Sequence, residues 1–451
     1  MSSSSQPRAT VHTLGCRLNQ AESQVLRDRL ERDGYQVVPW GERADLGIIN
    51  TCTVTREADA KCRKTIRQFI QRNPQAFTAV IGCYSQMGAK AIASIEGVDL
   101  IVGNQDKLSV LDHARLGKNE RPVILRERIS GEDFAVTFVG DLPSTLRANL
   151  KIQDGCDFYC SFCIIPTARG RARSRDWDNT LAEARQLAEN GVREVVLTGV
   201  NLGTYASQGH DLVALVDALD ELPGLERIRI SSIEPTTVDL ALLDRMADPA
   251  HALVPYLHLP LQSGSDPILQ RMRRKYTVAD YAAFVAEAQR RVPGLCLGTD
   301  ILVGSDGETE AHFQETCDFF LAQPFTYCHV FPYSERKGTL AVKRQEHDPA
   351  CVVPVEERQQ RVARLRRLSE AKRHDFYARY LGQEVEILVE QPREDRWPGY
   401  TANYVRVLAE ADTSFGDLRN QLVRVRLDRI SADFAEGEVV GVAERALAGA
   451  V

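Results

Sequence analysis

The sequence predicts an α/β protein in three parts: a doubly wound α/β domain, a central partial barrel of six strand–helix units, and a small all-β barrel. Three observations support this organisation. Short β-branched runs alternate with helical patterns at the N-terminus, and strand–helix units then recur six times at roughly 30-residue spacing. Beyond residue 380 the pattern changes to short alternating strands, which is typical of a separate small barrel.

The composition excludes several classes of protein. A chain of 451 residues is too long for one ordinary core, and 43% hydrophobic with 26% charged residues is typical of a globular protein. No stretch approaches the roughly 20 apolar residues of a membrane span, and the polar start Met1–Gln6 lacks a signal pattern. We therefore expect a cytoplasmic protein whose 11 cysteines are reduced, so that clustered cysteines bind metal. The net charge of −6 confines any nucleic-acid contact to local basic patches.

The N-terminal domain, residues 7–120, is predicted to be a parallel sheet with helices on both faces. Helices are expected to end near Gly34 and Asn73, and a charged connection runs from Arg121 to about Arg147. The predicted strands are Thr10–Gly15, Leu46–Thr51 and Phe77–Gly82.

The central domain, residues 142–375, is predicted to be an open parallel barrel smaller than the eight-unit form. Helical patterns such as Asn179–Glu189 and Asp211–Glu221 separate its strands. In such a barrel the chemistry lies at the carboxyl ends of the strands. The predicted strands are Asn149–Asp154, Glu194–Thr198, Arg227–Ile233, Tyr256–Leu261, Leu295–Val303 and Tyr327–Tyr333.

The C-terminal part, residues 376–446, is predicted to be a small β-barrel. A helix precedes it, starting after Pro354 and reaching about Tyr380. The predicted strands are Glu384–Glu390, Tyr404–Ala409 and Gln421–Leu427, and the barrel ends near Val442.

The most informative motif is Cys156-x3-Cys160-x2-Cys163, which directly follows the first strand of the central domain. Thiolates are the ligands of iron–sulfur clusters, and three of them on one loop leave the fourth iron of a cubane free to bind a small molecule. A zinc knuckle and three buried cysteines are the alternatives. Zinc sites usually pair C-x2-C units and complete four ligands, and the motif has no second pair or nearby histidine. The spacing therefore favours an iron–sulfur cluster with an open iron.

A second group, Cys16, Cys52 and Cys83, is dispersed in the sequence, but each cysteine directly follows a predicted strand. Because the carboxyl ends of parallel strands converge on one crevice, the three thiols are expected to meet around a second cluster. Buried cysteines at strand ends are the alternative. The other five cysteines lack ligand spacing and are expected to be structural: Cys62, Cys296, Cys317, Cys328 and Cys351.

These motifs resemble one family. The stretches that carry the resemblance are Thr13-Leu-Gly-Cys-Arg-Leu-Asn-Gln-Ala-Glu-Ser23, Asn50-Thr-Cys-Thr-Val-Thr55, Gly82-Cys83, Cys163-Ile-Ile-Pro166, Arg169-Gly170 and Arg173-Ser-Arg175. They resemble the methylthiotransferases of the radical S-adenosylmethionine (SAM) superfamily, and the last barrel resembles the TRAM domain of that family. The resemblance spans nearly the whole chain, so the central domain is expected to be a partial (β/α)6 radical SAM barrel.

The resemblance implies two [4Fe–4S] clusters and SAM as cofactors. The cluster on Cys156, Cys160 and Cys163 would bind SAM, whose one-electron cleavage gives a 5′-deoxyadenosyl radical that abstracts hydrogen from the substrate. The cluster on the other three cysteines would carry sulfur, methylated by a second SAM before transfer. An external electron donor and an external sulfur donor are therefore expected. An electron-relay role for the second cluster is the alternative, but a relay favours four ligands and we expect no fourth cysteine near these three.

Polar residues at the carboxyl ends of the barrel strands are the candidate SAM contacts. Glu234 is expected to accept hydrogen bonds from ribose hydroxyls; as an alternative, each polar residue could cap the following helix. Two positions depart from the family pattern: Gly304-Ser-Asp-Gly-Glu-Thr309 stands where Gly-Phe-Pro-Gly-Glu-Thr is usual, and Glu335 where proline is typical. The candidate SAM contacts are Gly199, Asn201, Glu234, Gln262 and Ser263.

Three features favour RNA as the substrate. The helix Arg358–Arg373 carries seven basic residues against one acidic residue, which suits phosphate binding or simply a solvated face. Its apolar stripe is Val362, Leu365 and Leu368, and Arg361, Arg364 and Arg367 are expected to project. Trp397, Tyr400 and Tyr404 are expected either to stack on unpaired bases or to fill the barrel core. Arg169, Arg171, Arg173 and Arg175 lie beside the cysteine loop, where a polyanion would arrive.

Within the family, the sequence most resembles the members that methylthiolate C2 of N6-threonylcarbamoyladenosine at position 37 of tRNA. The stretches that carry this are Gly15-Cys-Arg-Leu-Asn-Gln20, Gly199-Val-Asn-Leu-Gly203, Ile230-Ser-Ser-Ile-Glu-Pro235 and His329-Val-Phe-Pro-Tyr-Ser334. Alternatives are isopentenyladenosine-37 in tRNA, a ribosomal-protein aspartate, and, from a different class, a non-catalytic iron–sulfur RNA-binding redox protein. Neither DNA nor a membrane is expected as a partner.

Overall fold

The computed structural model of the chain describes residues 6–114, 117–136 and 147–443. The predicted start of the central domain at residue 142 and the predicted end of the last barrel at residue 446 lie outside the described residues. The domain bounds therefore stay predictions. The predicted fold class is confirmed, since a parallel α/β domain, a six-stranded parallel barrel and a closed β-barrel follow one another along the chain.

The N-terminal domain is a six-stranded parallel sheet in the order β2-β1-β3-β4-β5-β6. Neighbouring strand residues Ile48 and Ile49 belong to separate buried clusters, one with Leu26 and one with Ile66, so helices cover both faces. The elements are β1 (Arg8–Thr13), α1 (Arg17–Arg32), β2 (Gln36–Val37), β3 (Leu46–Thr51), α2 (Arg56–Arg72), β4 (Phe77–Gly82), α3 (Cys83–Ala93), β5 (Leu100–Val102), α4 (Val110–His113) and β6 (Val123–Leu125).

Two predicted strands of this domain, Leu46–Thr51 and Phe77–Gly82, have the predicted bounds, and the first strand begins and ends two residues earlier than predicted. The sequence did not reveal β2, β5 or β6, because each has only two or three residues and no clear periodicity. β6 lies inside the stretch expected to be a charged connection and pairs with β5. The sheet therefore extends beyond residue 120.

The central domain contains all six predicted parallel strands. They form two three-stranded sheets, β7-β10-β13 and β14-β15-β16, which a parallel bridge between Ile228 and Leu253 connects. The strands and short ladders are β7 (Arg147–Lys151), β8 (Gln153–Asp154), β9 (Arg173–Ser174), β10 (Glu194–Thr198), β11 (Ala206–Ser207), β12 (His210–Asp211), β13 (Arg227–Ile230), β14 (Tyr256–His258), β15 (Cys296–Val303) and β16 (Tyr327–Pro332).

Helices pack outside this barrel, with one buried cluster running from Ala148 to Leu365. Their starts follow local capping rules; for example, the Thr277 hydroxyl and the Asp280 carboxylate cap each other's backbone amides. The helices are α5 (Ile165–Arg169), α6 (Trp177–Glu189), α7 (Leu212–Asp220), α8 (Leu240–Ala247), α9 (Asp266–Arg271), α10 (Val278–Arg291), α11 (Glu310–Ala322), α12 (Leu340–His347) and α13 (Val355–Ala378).

The C-terminal part is a closed five-stranded barrel in the order β17-β18-β19-β21-β20. Two of the five strands were missed: Trp397–Thr401, because Pro398 and Gly399 interrupt its β pattern, and Ala435–Val442. The strands are β17 (Glu384–Val389), β18 (Trp397–Thr401), β19 (Arg406–Glu410), β20 (Leu422–Ile430) and β21 (Ala435–Val442). In the described part of the chain, no helix is long and apolar enough to cross a membrane.

The outer two parts contact the central barrel at different ends and touch each other where Arg17 Nη2 donates to the Tyr404 hydroxyl at 3.0 Å. The N-terminal domain touches the carboxyl end, where the Arg56 backbone amide donates to the Ser334 hydroxyl at 2.9 Å. The last barrel touches the amino end, where Asn403 donates to the Gly294 carbonyl at 2.9 Å and Arg229 donates to the Ala402 carbonyl at 2.9 Å. The carboxyl ends of the strands therefore face the N-terminal domain.

Candidate functional site

The loop between β8 and α5 carries Cys156, Cys160 and Cys163. Gly155 starts it with a φ of +71°, and a side chain there would overlap with the Arg171 carbonyl oxygen. The Cys156 amide donates to the Gly170 carbonyl at 3.1 Å, which closes the loop at its base. All three cysteines are half-buried and unpaired. The spacing of the three cysteines in the sequence is therefore enough to locate this group, and Gly155 provides the turn that the loop needs.

Burial controls the chemistry of these thiols. It raises the pKa of Cys156 to about 11 and that of Cys163 to about 12. Both thiols are therefore protonated at neutral pH, and a bound metal would have to displace their protons.

Arg274 is a site residue that the sequence reasoning missed. Its Nη1 lies 3.3 Å from Cys160 Sγ, and it forms an ion pair with Glu234. The Tyr276 hydroxyl lies 2.8 Å from Arg274 Nη2 and donates to the Pro260 carbonyl at 2.7 Å. Burial raises the pKa of the Glu234 carboxyl although Arg274 acts against it. Arg274 therefore connects the cysteine loop to the strand-end residues, and no sequence motif marks it.

Asn201 is the candidate SAM contact with a donor still available. Its Oδ1 accepts from the Glu234 amide at 3.2 Å and from the Thr237 hydroxyl at 3.0 Å. Its Nδ2 is buried and has no hydrogen-bond partner among the described residues. Gly199 lies two residues earlier, and a Cβ there would approach Gln153 to 2.9 Å. A buried amide without a partner is costly unless a ligand accepts from it.

Gln262 and Ser263 follow β14. Gln262 is half-buried with a φ of +72°, and its amide donates to the Asp300 carbonyl at 2.7 Å. The Ser263 hydroxyl is buried and lies 3.2 Å from the Thr316 hydroxyl on α11. Ser263 therefore attaches this loop to the outer helix, while Gln262 shapes the strand end.

The loop that departs from the family pattern is held by ion pairs. Asp306 is buried and lies 3.2 Å from Arg271 Nε and 3.2 Å from Arg344 Nη1. Glu308 accepts from the Gly304 amide at 2.8 Å and pairs with Arg361 at 2.6 Å. The buried residues Ser305 and Asp306 stand where the family pattern has an apolar Phe-Pro pair, whereas Glu308 matches the pattern.

This arrangement corrects one prediction about α13. Arg361 does not project, because its guanidinium is 3% exposed and balances the buried Glu308 carboxylate. Arg364 is 40% exposed and Arg367 is exposed, as predicted. Val362 and Leu365 pack inward as predicted. The basic helix therefore offers less positive surface than its composition suggests.

The second cysteine group lies at the carboxyl edge of the N-terminal sheet. Cys16 is exposed at the start of α1, and Cys52 and Cys83 are buried at the ends of β3 and β4. Gly15 has a φ of +105°, and a Cβ there would lie 2.7 Å from Cys52 Cβ. Burial, together with smaller effects of the neighbouring Cys83 and Cys16, raises the pKa of Cys52 to about 12. Sheet geometry therefore brings together three cysteines that are distant in sequence.

Asparagine side chains tie these strand ends together. Asn19 donates to the Leu14 carbonyl at 2.7 Å and to the Thr51 carbonyl at 3.1 Å. Asn104 Nδ2 lies 3.5 Å from Cys83 Sγ and 2.6 Å from the Ala168 carbonyl of the central domain. These roles depend on tertiary contacts, so sequence spacing could not reveal them.

Cys62 corrects the expectation that no fourth cysteine lies near this group. Its thiol on α2 donates to the Cys52 carbonyl at 3.3 Å and is fully buried. Burial raises its pKa to about 11. Cys62 therefore packs behind the group in the hydrophobic core, as a structural cysteine would.

A buried charge cluster joins the two cysteine groups. Glu22 lies 2.6 Å from Lys107, 2.8 Å from Lys151 and 3.2 Å from Arg169. Arg169 also pairs with Asp154 at 2.9 Å. Burial raises the pKa of the Glu22 carboxyl, but attraction to the three cations outweighs it and lowers that pKa, and burial lowers the pKa of Lys107 to about 8. Asp154 and Arg169 flank the cysteine loop and Glu22 lies on α1, so the cluster fixes one group relative to the other.

The buried charge cluster also shows that the prediction of an exposed arginine surface beside the cysteine loop was wrong. Arg169, Arg173 and Arg175 are buried in ion pairs and hydrogen bonds, and only Arg171 is exposed, at 72% of its side chain. Polar partners on both domains explain the difference, because a buried guanidinium is stable when several acceptors surround it. Among these four, only Arg171 is placed to meet a polyanion.

The donor set fits iron–sulfur clusters better than single metal ions. In residues 6–114, 117–136 and 147–443, no group of three or more His, Cys, Asp and Glu residues gathers around one point for a metal ion. In a cubane each thiolate binds a different iron, so its ligands need not converge on one atom. Two separate groups of three thiols, each beside a glycine turn, fit two such clusters.

Comparisons with known proteins agree with this arrangement. Residues 150–320 match the Radical SAM superfamily and residues 8–103 match the uncharacterized protein family UPF0004. The chain is 36% identical to threonylcarbamoyladenosine tRNA methylthiotransferase MtaB of Bacillus subtilis, over 97% of each chain. It is 34% identical to tRNA-2-methylthio-N(6)-dimethylallyladenosine synthase of Methylobacillus flagellatus, over 96% of this chain and 99% of the other. The radical SAM methyltransferase TsrM of Kitasatospora setae shares the fold (TM-score 0.54, 16% identity, 76% and 78% coverage).

Proposed function

The chain belongs to the tRNA methylthiotransferase family of radical SAM enzymes, and we propose that it methylthiolates C2 of N6-threonylcarbamoyladenosine at position 37 of tRNA. The observation that carries the proposal is the pair of three-cysteine groups held together by the buried charge cluster. A radical SAM enzyme needs only one such group, so a second one joined to the first indicates sulfur transfer to the carbon that the radical activates.

The cofactors of this family are SAM and two [4Fe–4S] clusters. We propose Cys156, Cys160 and Cys163 as the ligands of the SAM-binding cluster, and Cys16, Cys52 and Cys83 as the ligands of the sulfur-carrying cluster. When bound, these cofactors supply a carbon-centred radical and the methylthio group.

The chain's own residues hold and orient these groups. Arg274 Nη1 donates to Cys160 Sγ at 3.3 Å and holds this side chain in place. The unpaired Asn201 Nδ2 offers a buried donor to SAM, and Gly199 and Gln262 shape the strand ends beside it. Glu234 and Ser263 already have protein partners, so in this proposal they position the site, and Glu234 reaches the ribose only if it leaves Arg274.

Isopentenyladenosine-37 is the second candidate substrate, because relatives named for that reaction reach 34% identity. The relatives named for threonylcarbamoyladenosine reach 36%, a small margin that agrees with the motifs at Gly199–Gly203 and His329–Ser334. The ribosomal-protein and non-catalytic alternatives receive no support from these relatives. The electron donor, the sulfur donor, the cytoplasmic location and the absence of DNA and membrane partners stay predictions.

The test compares tRNA nucleosides from a strain that lacks the gene with those from the same strain complemented by it. We expect 2-methylthio-N6-threonylcarbamoyladenosine to disappear in the deletion and to return on complementation, as read by mass spectrometry. Loss of the 2-methylthio isopentenyl nucleoside instead would establish the second candidate. The purified, reconstituted protein should contain about eight iron atoms per chain, and a value near four would contradict two clusters.

A further inference from the structure

A cavity of about 290 Å³ lies between α1, the amino ends of β14, β15 and β16, and the C-terminal barrel. All three parts of the protein line it, through Arg17, Tyr327, His329, Arg373, Tyr404 and Arg406 among others. Its size is at the lower end of the range of small-molecule pockets, which is about 300–1,000 Å³. A group the size of an amino acid would fit in it.

The cavity lies close to the N-terminal cysteine group. Arg17 directly follows Cys16, and its Nη2 donates to the Tyr404 hydroxyl at 3.0 Å across the cavity. On the other wall, the His329 ring lies 5.5 Å from His258, whose Nε2 is 3.0 Å from Asp300 in the middle of β15. A nucleotide in the barrel could therefore extend a substituent past Cys16 into this cavity.

Positive charge dominates the cavity. It contains three arginines and one acidic residue, Asp433, which lies 3.5 Å from Arg373. In the described part of the chain, neither Arg17 nor Arg406 has a carboxylate oxygen within 4.0 Å. Burial raises the pKa of Tyr404, but Arg17, Arg147 and Arg229 outweigh burial and lower it. A half-buried guanidinium without a carboxylate partner, in a positive field, indicates an anion site.

We propose that this cavity binds the threonyl carboxylate of the substrate base and that Arg17 is the residue that selects for it. The inference rests on the proposed function, since threonylcarbamoyladenosine carries a carboxylate and isopentenyladenosine does not. An uncharged substituent would leave the Arg17 guanidinium desolvated and without a charged partner, so the cavity disfavours it. The stacked rings of Tyr400 and Tyr404, 4.8 Å apart, form an aromatic wall for the planar part of the substituent.

The test measures the binding of anticodon stem-loop RNA to the reconstituted protein by fluorescence anisotropy. Two stem-loops are compared, one with threonylcarbamoyladenosine and one with plain adenosine at position 37. We expect the wild type to prefer the first, and Arg17→Gln to reduce the ratio of the two affinities about tenfold. Arg32→Gln, on the same helix with 49% of its side chain exposed, should keep the ratio.

Three outcomes would overturn the inference. Unchanged affinities of Arg17→Gln for both stem-loops would show that Arg17 does not select for the carboxylate, and equal weakening of both, which leaves the ratio unchanged, would show that it binds a phosphate. If Arg17→Gln loses iron, Tyr404→Phe decides, because it removes the hydroxyl that holds Arg17 and keeps the ring; an unchanged ratio in that variant also overturns the inference. If the wild type forms no methylthio product from the first stem-loop, the proposed function itself fails, which is a separate result.

Discussion

The two cysteine groups are built in opposite ways. Cys156, Cys160 and Cys163 lie on one loop that Gly155 and the Cys156–Gly170 hydrogen bond close locally. Cys16, Cys52 and Cys83 lie on three separate strand ends that meet only when the sheet β1-β3-β4 is formed. The first group therefore depends on local chain geometry, and the second depends on the tertiary fold. A domain can keep the first group while it loses the second, but the proposed reaction needs both.

Removal of each group gives the largest expected effect and separates the two roles. With Cys156, Cys160 and Cys163 all changed to Ala, the protein should lose half of its iron and all SAM cleavage. With Cys16, Cys52 and Cys83 all changed to Ala, it should also lose half of its iron but still cleave SAM without methylthio product. Iron analysis and chromatography of 5′-deoxyadenosine measure the difference. If SAM cleavage disappears in both variants, the two cysteine groups do not function independently.

The buried charge cluster should have the next largest effect, because it joins the two groups. Arg169→Gln removes a cation that pairs with both Glu22 and Asp154 and leaves buried carboxylates less compensated. We expect a loss of about 3–5 kcal/mol in the free energy of unfolding, measured by urea denaturation. Arg171→Gln, two residues away and 72% exposed, should cost less than about 1 kcal/mol. If the two variants lose similar amounts of unfolding free energy, the buried charge cluster does not stabilise the contact between the two cysteine groups.

The loss of stability at acidic pH provides a second test of the buried charge cluster. Attraction to cations, against the effect of burial, lowers the pKa values of Glu22 and Asp154 in the folded protein. Their stabilising contribution is therefore complete above the unfolded pKa values of about 4 and is lost as pH falls below them. We expect the stability of the wild type to fall more steeply between about pH 5 and pH 3 than that of Arg169→Gln.

The first cysteine group depends on local chain geometry and the second on the tertiary fold. This difference also explains which features the sequence could predict. The spacing of Cys156, Cys160 and Cys163 is visible in the sequence because one loop contains it, and Cys16, Cys52 and Cys83 could be grouped because strand ends of a parallel sheet converge. The roles of Arg274 and Asn104 could not be predicted, because their partners come from other elements.

The basic residues show the limit of composition. Arginines at 169, 173, 175 and 361 were expected to face RNA, but each is buried against acidic or polar partners. A count of charges does not show where acidic residues of other elements will lie. Arg17 is the opposite case, since it belongs to a cysteine motif yet reaches into the cavity at the C-terminal barrel.

A substitution at Gly15 tests the N-terminal cysteine group, Cys16, Cys52 and Cys83, by itself. Gly15→Ala places a Cβ 2.7 Å from Cys52 Cβ on a backbone with φ of +105°, where the conformation itself costs about 1–3 kcal/mol. We expect the N-terminal cluster to bind weakly or not at all, so that iron falls toward half while SAM cleavage remains. Gly34→Ala is the matched control, because its φ of +87° is also positive but no atom lies within 4 Å of the new Cβ. Equal iron loss in both variants would show that backbone strain, and not the contact with Cys52, causes the effect.

A substitution at Cys62 should have the smallest effect, and it tests whether the N-terminal cysteine group has a fourth ligand. Its thiol donates to the Cys52 carbonyl from within the core, so Cys62→Ser keeps a donor while placing a more polar atom among apolar side chains. We expect a cost of about 1 kcal/mol in the free energy of unfolding, with unchanged iron content and unchanged methylthio product. Cys52→Ser, by comparison, removes a proposed ligand and should lower the iron content. If Cys62→Ser also lowers it, the N-terminal group has four ligands, which leaves no open iron for sulfur and favours an electron relay.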